Sequence, residues 1–260
     1  MERVEVAGLT LDVERVGDGP PMLYLHPEHY WGLNAPFVEQ LSTRWSVLVP
    51  HHPGFDNRQP PSDFRSVGDL AYLYLDLLDA LEVHNPLVVG ASLGGWIGLE
   101  MAVRQPKRLR GLGLIAPLGA KLGGREARDF ADLFAMSDDE AASSLFAQAP
   151  PDLQTFTDDE MTQVARDRQF AAYYGWKPYM HNPSLPRWLH RAAMPVQLIW
   201  GQKDGFVSCE YARLLNERLP HSSLSVIDNA GHYPQLESST EVSAIIEKFG
   251  AAVLSDGETP

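Results

Sequence analysis

The stretch LVVGASLGGWIG, from Leu87 to Gly98, constrains this chain more than any other. It opens as an apolar run with two valines, the composition of a strand buried on both faces. It passes directly into LGGWIGLEMAVRQP, whose spacing is helical until Pro106 stops it. The joint holds one polar side chain, Ser92, with Gly90 two residues before it and Gly94 two residues after. A strand that turns straight into a helix drives the joint residue into strained backbone angles, so its neighbours must be small. Gly90 and Gly94 leave that room, and Gly95 lets the helix approach the sheet. Taken alone the pentapeptide is a glycine-rich turn. With the strand and helix around it, it is a G-x-S-x-G elbow that lifts a hydroxyl to the carboxyl edge of a sheet, over the positive end of a helix.

A serine hydroxyl is a weak nucleophile unless a base takes its proton. His232 lies in IDNAGHYPQLE, between the last strand pattern and the last helix pattern, and Asp204 lies in LIWGQKDGFVS, just past the preceding strand. Both fall at carboxyl ends of strands, on the edge that would present Ser92. The chain order Ser92, Asp204, His232 differs from the orders used by two unrelated serine-protease folds.

The remaining sequence supplies a frame for such an edge. VEVAG and LTLDVERV read as an antiparallel pair turning at Gly8, and PMLYLH, WSVLVP, PLVVG and LRGLGLIAP follow as short apolar strands. Between Ser66 and Leu81 the apolar residues fall on one helical face, opened by a capping box of Ser66 and Asp69. From Leu118 to about Ala193 strand patterns are absent, and SDDE and TDDE each announce a helix start. PVQLIW, SCEYARLLNERLP, SSLSVID and SSTEVSAIIEKFG then restore the alternation. The prediction is an α/β fold with a mostly parallel eight-stranded sheet flanked by helices, residues 1–117 and 194–250 forming one discontinuous core. Residues 118–193 are read as an inserted helical cap and residues 251–260 as a flexible tail.

The formal charge of −13 would repel phosphates, which argues against nucleic acid or an anionic membrane as partner. No apolar run reaches the ~18 residues of a membrane span, and no signal-peptide pattern opens the chain, so a cytoplasmic location is expected. The single cysteine, Cys209, permits no intrachain disulfide and is read as inert.

The passages LYLHPEHYWG, VLVPHHPGF, VVGASLGGW, LIWGQKDGFVS and NAGHYPQLE together resemble the α/β-hydrolase fold superfamily, over about Pro21 to Phe249. The resemblance implies that Ser92 attacks an acyl carbon, that His232 acts as base and then acid, and that Asp204 orients the imidazole. It also implies an oxyanion hole of two main-chain N–H groups, that of Leu93 after the nucleophile and one from the loop after the strand ending at His26. Relatives usually carry His-Gly-x there and x donates. Here the loop reads His26-Pro27-Glu28, which makes Glu28 the candidate and replaces a free glycine by a residue of fixed φ. A second departure, GFDNR, puts Asp56 and Asn57 where relatives often have Gly-x-Gly-x-Ser; a solvated Asx turn is the favoured reading, a polar pocket wall the other.

His26, His29, His51 and His52 lie close to Glu28 and Asp56 in sequence, but their spacing matches no metal-ligand pattern, and neither metal nor cofactor is expected. The predicted cap is rich in aromatic residues: Phe170, Tyr173, Tyr174, Trp176, Tyr179 and Trp188. Some must form its own core and the rest would wall an apolar pocket over Ser92. The candidate pocket residues are His26, His29, Tyr174, Trp176, Tyr179, Phe206 and Tyr233, with Arg125, Lys177 or Arg187 available to an anionic tail. The leading function is hydrolysis of a small or medium carboxylic ester, thioester or lactone through an acyl-enzyme on Ser92. Cleavage of carbon–carbon bonds in diketone-like substrates by the same triad is the alternative, and a ligand-binding protein without turnover is the reading from another class. Dehalogenase and epoxide-hydrolase chemistry needs an aspartate where this chain has Ser92.

Overall fold

The computed structural model describes residues 1–56, 58–124 and 126–256. Asn57 and Arg125, weighed above for a pocket wall and an anionic tail, lie outside the described residues, as do residues 257–260. Strands β1 (Glu2–Val6) and β2 (Leu9–Val16) form a hairpin closed by Ala7 and Gly8, both at positive φ. Then come β3 (Pro21–Leu25), α1 (Ala35–Ser42), β4 (Ser46–Pro50), α2 (Val67–Ala80), β5 (Leu87–Ala91), α3 (Leu93–Arg104) and β6 (Gly111–Ile115). The next segment holds β7 (Gly119–Ala120), α4 (Asp138–Leu145), α5 (Asp158–Gly175), β8 (His181–Asn182) and α6 (Leu185–Trp188). Alternation resumes with β9 (Val196–Gly201), α7 (Cys209–Arg218), β10 (Ser222–Ile227), α8 (Pro234–Glu237) and α9 (Ser239–Asp256).

Eight strands make one sheet in the order β1-β2-β4-β3-β5-β6-β9-β10. The β1–β2 and β2–β4 pairs are antiparallel, and every pair from β4 to β10 is parallel. Successive side chains of a strand point to opposite faces, so a sheet covered on both faces needs strands that are apolar throughout. In β3, Leu23 and Leu25 join the core cluster that also contains α2 and α3 residues, while Met22 and Tyr24 join the cluster that contains Phe37 and Leu41 of α1 and Val242 and Ile246 of α9. β5 divides in the same way, Val88 to one side and Leu87 and Val89 to the other.

The three capping boxes form as the sequence predicts: Ser66 with Asp69, Ser137 with Glu140 and Thr157 with Glu160 each exchange side-chain and main-chain bonds. Two elements differ from expectation. The last helix runs on to Asp256, six residues into the segment read as a tail, because Val253 and Leu254 still have the sheet's α1/α9 face to pack on. Within the helical stretch after β6, two residues of β7 pair in parallel with two of β8, a ladder too short to leave a pattern in the sequence.

That helical stretch lies over the carboxyl ends of the strands. The Tyr174 hydroxyl donates to the Pro53 carbonyl at 2.9 Å and Gln163 Nε2 to the Phe55 carbonyl at 2.8 Å, both in the loop after β4. Gly205 N–H, after β9, donates to the Ser144 carbonyl at 2.9 Å, and His232 N–H, after β10, to the Leu145 carbonyl at 2.7 Å.

The turn from β5 to α3 is closely packed on main chain. A Cβ on Gly94 would stand 2.0 Å from the Leu25 carbonyl oxygen, and one on Gly90 would stand 2.3 Å from the Gly94 carbonyl oxygen. Both obstacles are main chain, which cannot rotate away. Gly94→Ala is therefore expected to cost about 2 kcal/mol or more in urea unfolding, whereas Gly32→Ala, which meets nothing within 4 Å, should stay within ~0.5 kcal/mol of the native chain.

Candidate active site

Ser92 caps the N-terminus of α3 at φ 49° and ψ −110°, a conformation that a side-chain-bearing residue adopts only when its surroundings impose it. The surroundings do so through main-chain bonds. Ser92 N–H donates to the Ile115 carbonyl at 2.9 Å, while the Ser92 carbonyl accepts from Trp96 N–H at 3.0 Å and Leu118 N–H at 3.2 Å. The side chain is left pointing at the carboxyl edge.

There Ser92 Oγ meets His232 Nε2 at 2.7 Å, and His232 Nδ1 meets Asp204 Oδ2 at 2.8 Å. An ionised carboxylate only accepts, so Nδ1 carries the proton and Nε2 accepts from the serine hydroxyl. The other carboxylate oxygen, Asp204 Oδ1, accepts from Phe206 N–H at 2.9 Å and Val207 N–H at 2.8 Å, which fixes the plane of the group. Burial disfavours the charged imidazolium, yet the charge and hydrogen bond of Asp204, with the charge of Glu28, outweigh it and raise the His232 pKa above the ordinary 6.5. Phe206 and Tyr233 flank the imidazole edge-on, each with its ring centroid 4.8 Å away.

Leu93 N–H opens α3 beside the serine, as the oxyanion reading requires, and Glu28 lies in the loop after β3. What the sequence did not disclose is the Glu28 side chain. Its Oε2 accepts from Leu93 N–H at 3.0 Å and its Oε1 from the Tyr233 hydroxyl at 2.9 Å. Burial works against the charge, but His29, His232 and the main-chain N–H groups of Leu93 and of Glu28 itself hold its pKa below the usual carboxylate value.

The histidines are committed elsewhere. His26 and His52 stack at 3.7 Å between centroids. His26 Nδ1–H donates to the Pro27 carbonyl at 2.7 Å while its Nε2 accepts from His52 N–H at 3.1 Å; in return His52 Nε2–H donates to the His26 carbonyl at 3.0 Å. His52 Nδ1 bonds the Tyr74 hydroxyl. Burial pushes His52 down to about 3 and His26 well below its ordinary value. The pair pins the loops after β3 and β4 together, and both ring nitrogens of His26 are taken up in doing so. His51 pairs with Glu14 at 2.9 Å. Among the described residues no three His, Cys, Asp or Glu side chains are grouped to hold a metal ion. Asp56 closes a turn on Arg58, accepting its N–H at 2.8 Å.

The other candidate pocket residues separate. His29, half-buried, sits beside Glu28. Tyr174 is buried against Phe64 and Phe170 and spends its hydroxyl on Pro53. Tyr179 spends its own on the Ala131 carbonyl at 2.8 Å, a bond internal to the helical stretch. Trp176 is a correction: it is 59 % exposed and packs on Phe134. It follows Tyr174 by two residues, about 200° round a helix, which carries it away from the buried face. Nearer the imidazole are Tyr30 and Phe146, whose rings lie 5.5 Å apart and 6.2 and 5.6 Å from Tyr233. Nothing in their local sequence marks either one. Asp167 of α5 is a second unexpected group, a carboxyl that burial raises to about 7.

Compared with known proteins, residues 19–245 match the model of the alpha/beta hydrolase family. The chain belongs to that family. It is 24% identical to the pimeloyl-[acyl-carrier protein] methyl ester esterase of Aeromonas salmonicida over 93% of this chain and 99% of that protein. It is likewise 24% identical to a 2-hydroxymuconate semialdehyde hydrolase of Pseudomonas putida, over 94% and 91% of the two chains. Among solved structures, a bacterial membrane phospholipase A superposes with a TM-score of 0.80 at 21% identity, covering 97% of this chain and 86% of that one. No helix among the described residues is long and apolar enough to cross a membrane.

In this alpha/beta hydrolase the site is closed. Ser92 and His232 are each 1 % exposed. The strap after α4 is fastened to the loop that carries the imidazole by one carboxylate: Glu237 Oε1 accepts from Ala147 N–H at 2.9 Å and Gln148 N–H at 2.7 Å, and Oε2 accepts from Gly231 N–H at 2.6 Å. Glu237→Ala leaves three N–H groups without their acceptor. It is expected to cost about 2–3 kcal/mol in chemical denaturation, and to speed hydrogen exchange at Gly231, Ala147 and Gln148 before the rest of the fold.

Proposed function

We propose that this chain is a serine hydrolase that cleaves a small or medium carboxylic ester, thioester or lactone through an acyl-enzyme on Ser92. The observation that carries the reading is the buried hydrogen-bonded chain from Ser92 Oγ to His232 Nε2 and from His232 Nδ1 to Asp204. In this reading Oγ bonds to the acyl carbon as its proton passes to Nε2, and Asp204 stabilises the imidazolium that forms. His232 then gives the proton to the leaving group. Water, deprotonated by the same nitrogen, releases the acid. Leu93 N–H, with the Glu28 N–H, is the donor pair for the developing oxyanion.

Two properties of the surroundings support hydrolysis over passive binding. The strained Ser92 backbone is a cost that a receptor gains nothing from, and the carboxylate behind the imidazole raises the basicity of the one nitrogen that faces the hydroxyl. The esterase among the relatives favours an acyl substrate. The 2-hydroxymuconate semialdehyde hydrolase keeps carbon–carbon cleavage as the second reading, since the same serine and base serve both. Graded p-nitrophenyl esters, lactones and a diketone, assayed side by side, separate the two by which class turns over.

A fluorophosphonate probe tests the nucleophile. Native protein should be labelled and Ser92→Ala should not; labelling that survives the substitution assigns the chemistry to another residue. Asp204→Asn should slow turnover by about 10⁴, and a near-native rate would give the orienting role to another carboxylate. Because His232 must be neutral to accept a proton and its pKa is raised above 6.5, activity should fall on the acid side with a midpoint above 6.5. A midpoint below that value counts against His232 as the base.

A further inference from the structure

One of the two main-chain donors assigned to the oxyanion position already has an acceptor, and it belongs to the residue that carries the other. Leu93 N–H donates to Glu28 Oε2 at 3.0 Å. The Tyr233 hydroxyl holds the second oxygen at 2.9 Å, and Glu28 is 1 % exposed. A carboxylate in this place has the shape and charge of the acid that hydrolysis would release, seated beside the serine that released it.

Resting on the serine-nucleophile reading above, we propose that the Glu28 side chain is an internal occupant of the oxyanion position, and that an acyl oxygen must displace it before Ser92 can react. Two oxygens that both need the Leu93 N–H cannot share it, and a developing alkoxide beside a fixed carboxylate is opposed by like charge. The arrangement is reversible within one residue. Rotation about the Glu28 side-chain bonds withdraws the carboxylate while the main-chain N–H stays where it is. Glu28 thus serves the reaction with its backbone and holds it back with its side chain. Tyr233, next to the base, is the partner that keeps the carboxylate in place.

The test is the second-order rate at which a fluorophosphonate labels the full chain, compared for the native protein, Glu28→Gln and Glu28→Ala. In that reaction Oγ bonds to phosphorus, fluoride leaves, and the serine proton passes to His232, while the phosphoryl oxygen has to enter the disputed position. Glu28→Ala is expected to label about tenfold faster than native or more, the scale of losing a charged, hydrogen-bonded competitor. Glu28→Gln, which keeps the shape without the charge, should fall between. Labelling of the variants alone supports the proposal most strongly. Native labelling with both variants equal or slower overturns the occupant and leaves Ser92 as the nucleophile. No labelling of any of the three overturns the nucleophile and the occupant together. Circular dichroism checks each fold, and the isosteric Glu28→Gln decides alone where Glu28→Ala does not fold.

Discussion

The site rests on a main-chain contact: α3 is pressed so closely on the end of β3 that the only side chain tolerated at residue 94 is a hydrogen. A Cβ there would overlap the Leu25 carbonyl oxygen, 2.0 Å away. That approach is what bends the chain sharply at Ser92 and holds it at positive φ, with Ile115, Trp96 and Leu118 bonded around it. Relaxing the contact would let the turn open and swing the hydroxyl off the edge where β9 and β10 deliver their own side chains. The strain of roughly 1–3 kcal/mol at such a residue is offset by apolar packing on both sheet faces, which no single loop supplies.

Around that hydroxyl the electrostatics are one-sided. Asp204 and Glu28 are both buried near the imidazole, and the charge of each favours its protonated form. Their own charges are met by oriented N–H groups: Phe206 and Val207 for Asp204, Leu93 for Glu28. The dipoles on Asp204 are fixed and need no reorganisation if charge moves onto the imidazole, whereas the Leu93 N–H is held by a side chain that can rotate.

Much of this was legible in the residues. Strand and helix order follows from apolar runs, capping boxes and prolines because those signals are local. The elbow could be read because glycine at 90 and 94 answers a steric demand with few other solutions. Convergence of Ser92, Asp204 and His232 could be expected because parallel strands put their loops on one edge. The Glu28 side chain could not be read in the same way. Its candidacy as a main-chain donor comes from the loop it occupies, but where a carboxylate points depends on Tyr233, 205 residues away in the chain. The aromatic residues over the site fail for a related reason. Composition marks Trp176 and Phe146 as equally apolar, and only the turn of α5 and the path of the strap decide that the first faces solvent and the second faces Tyr233.

The Glu237 clasp has a mechanical corollary. One carboxylate ties the strap over the site to the loop bearing the imidazole, and the strap's own carbonyl at Leu145 receives the His232 amide. Lifting the strap therefore tugs on His232 itself. A molecule that admits bulk solvent by this route would slacken the hydrogen-bonded chain from Ser92 through His232 to Asp204 in the same movement, a built-in safety catch.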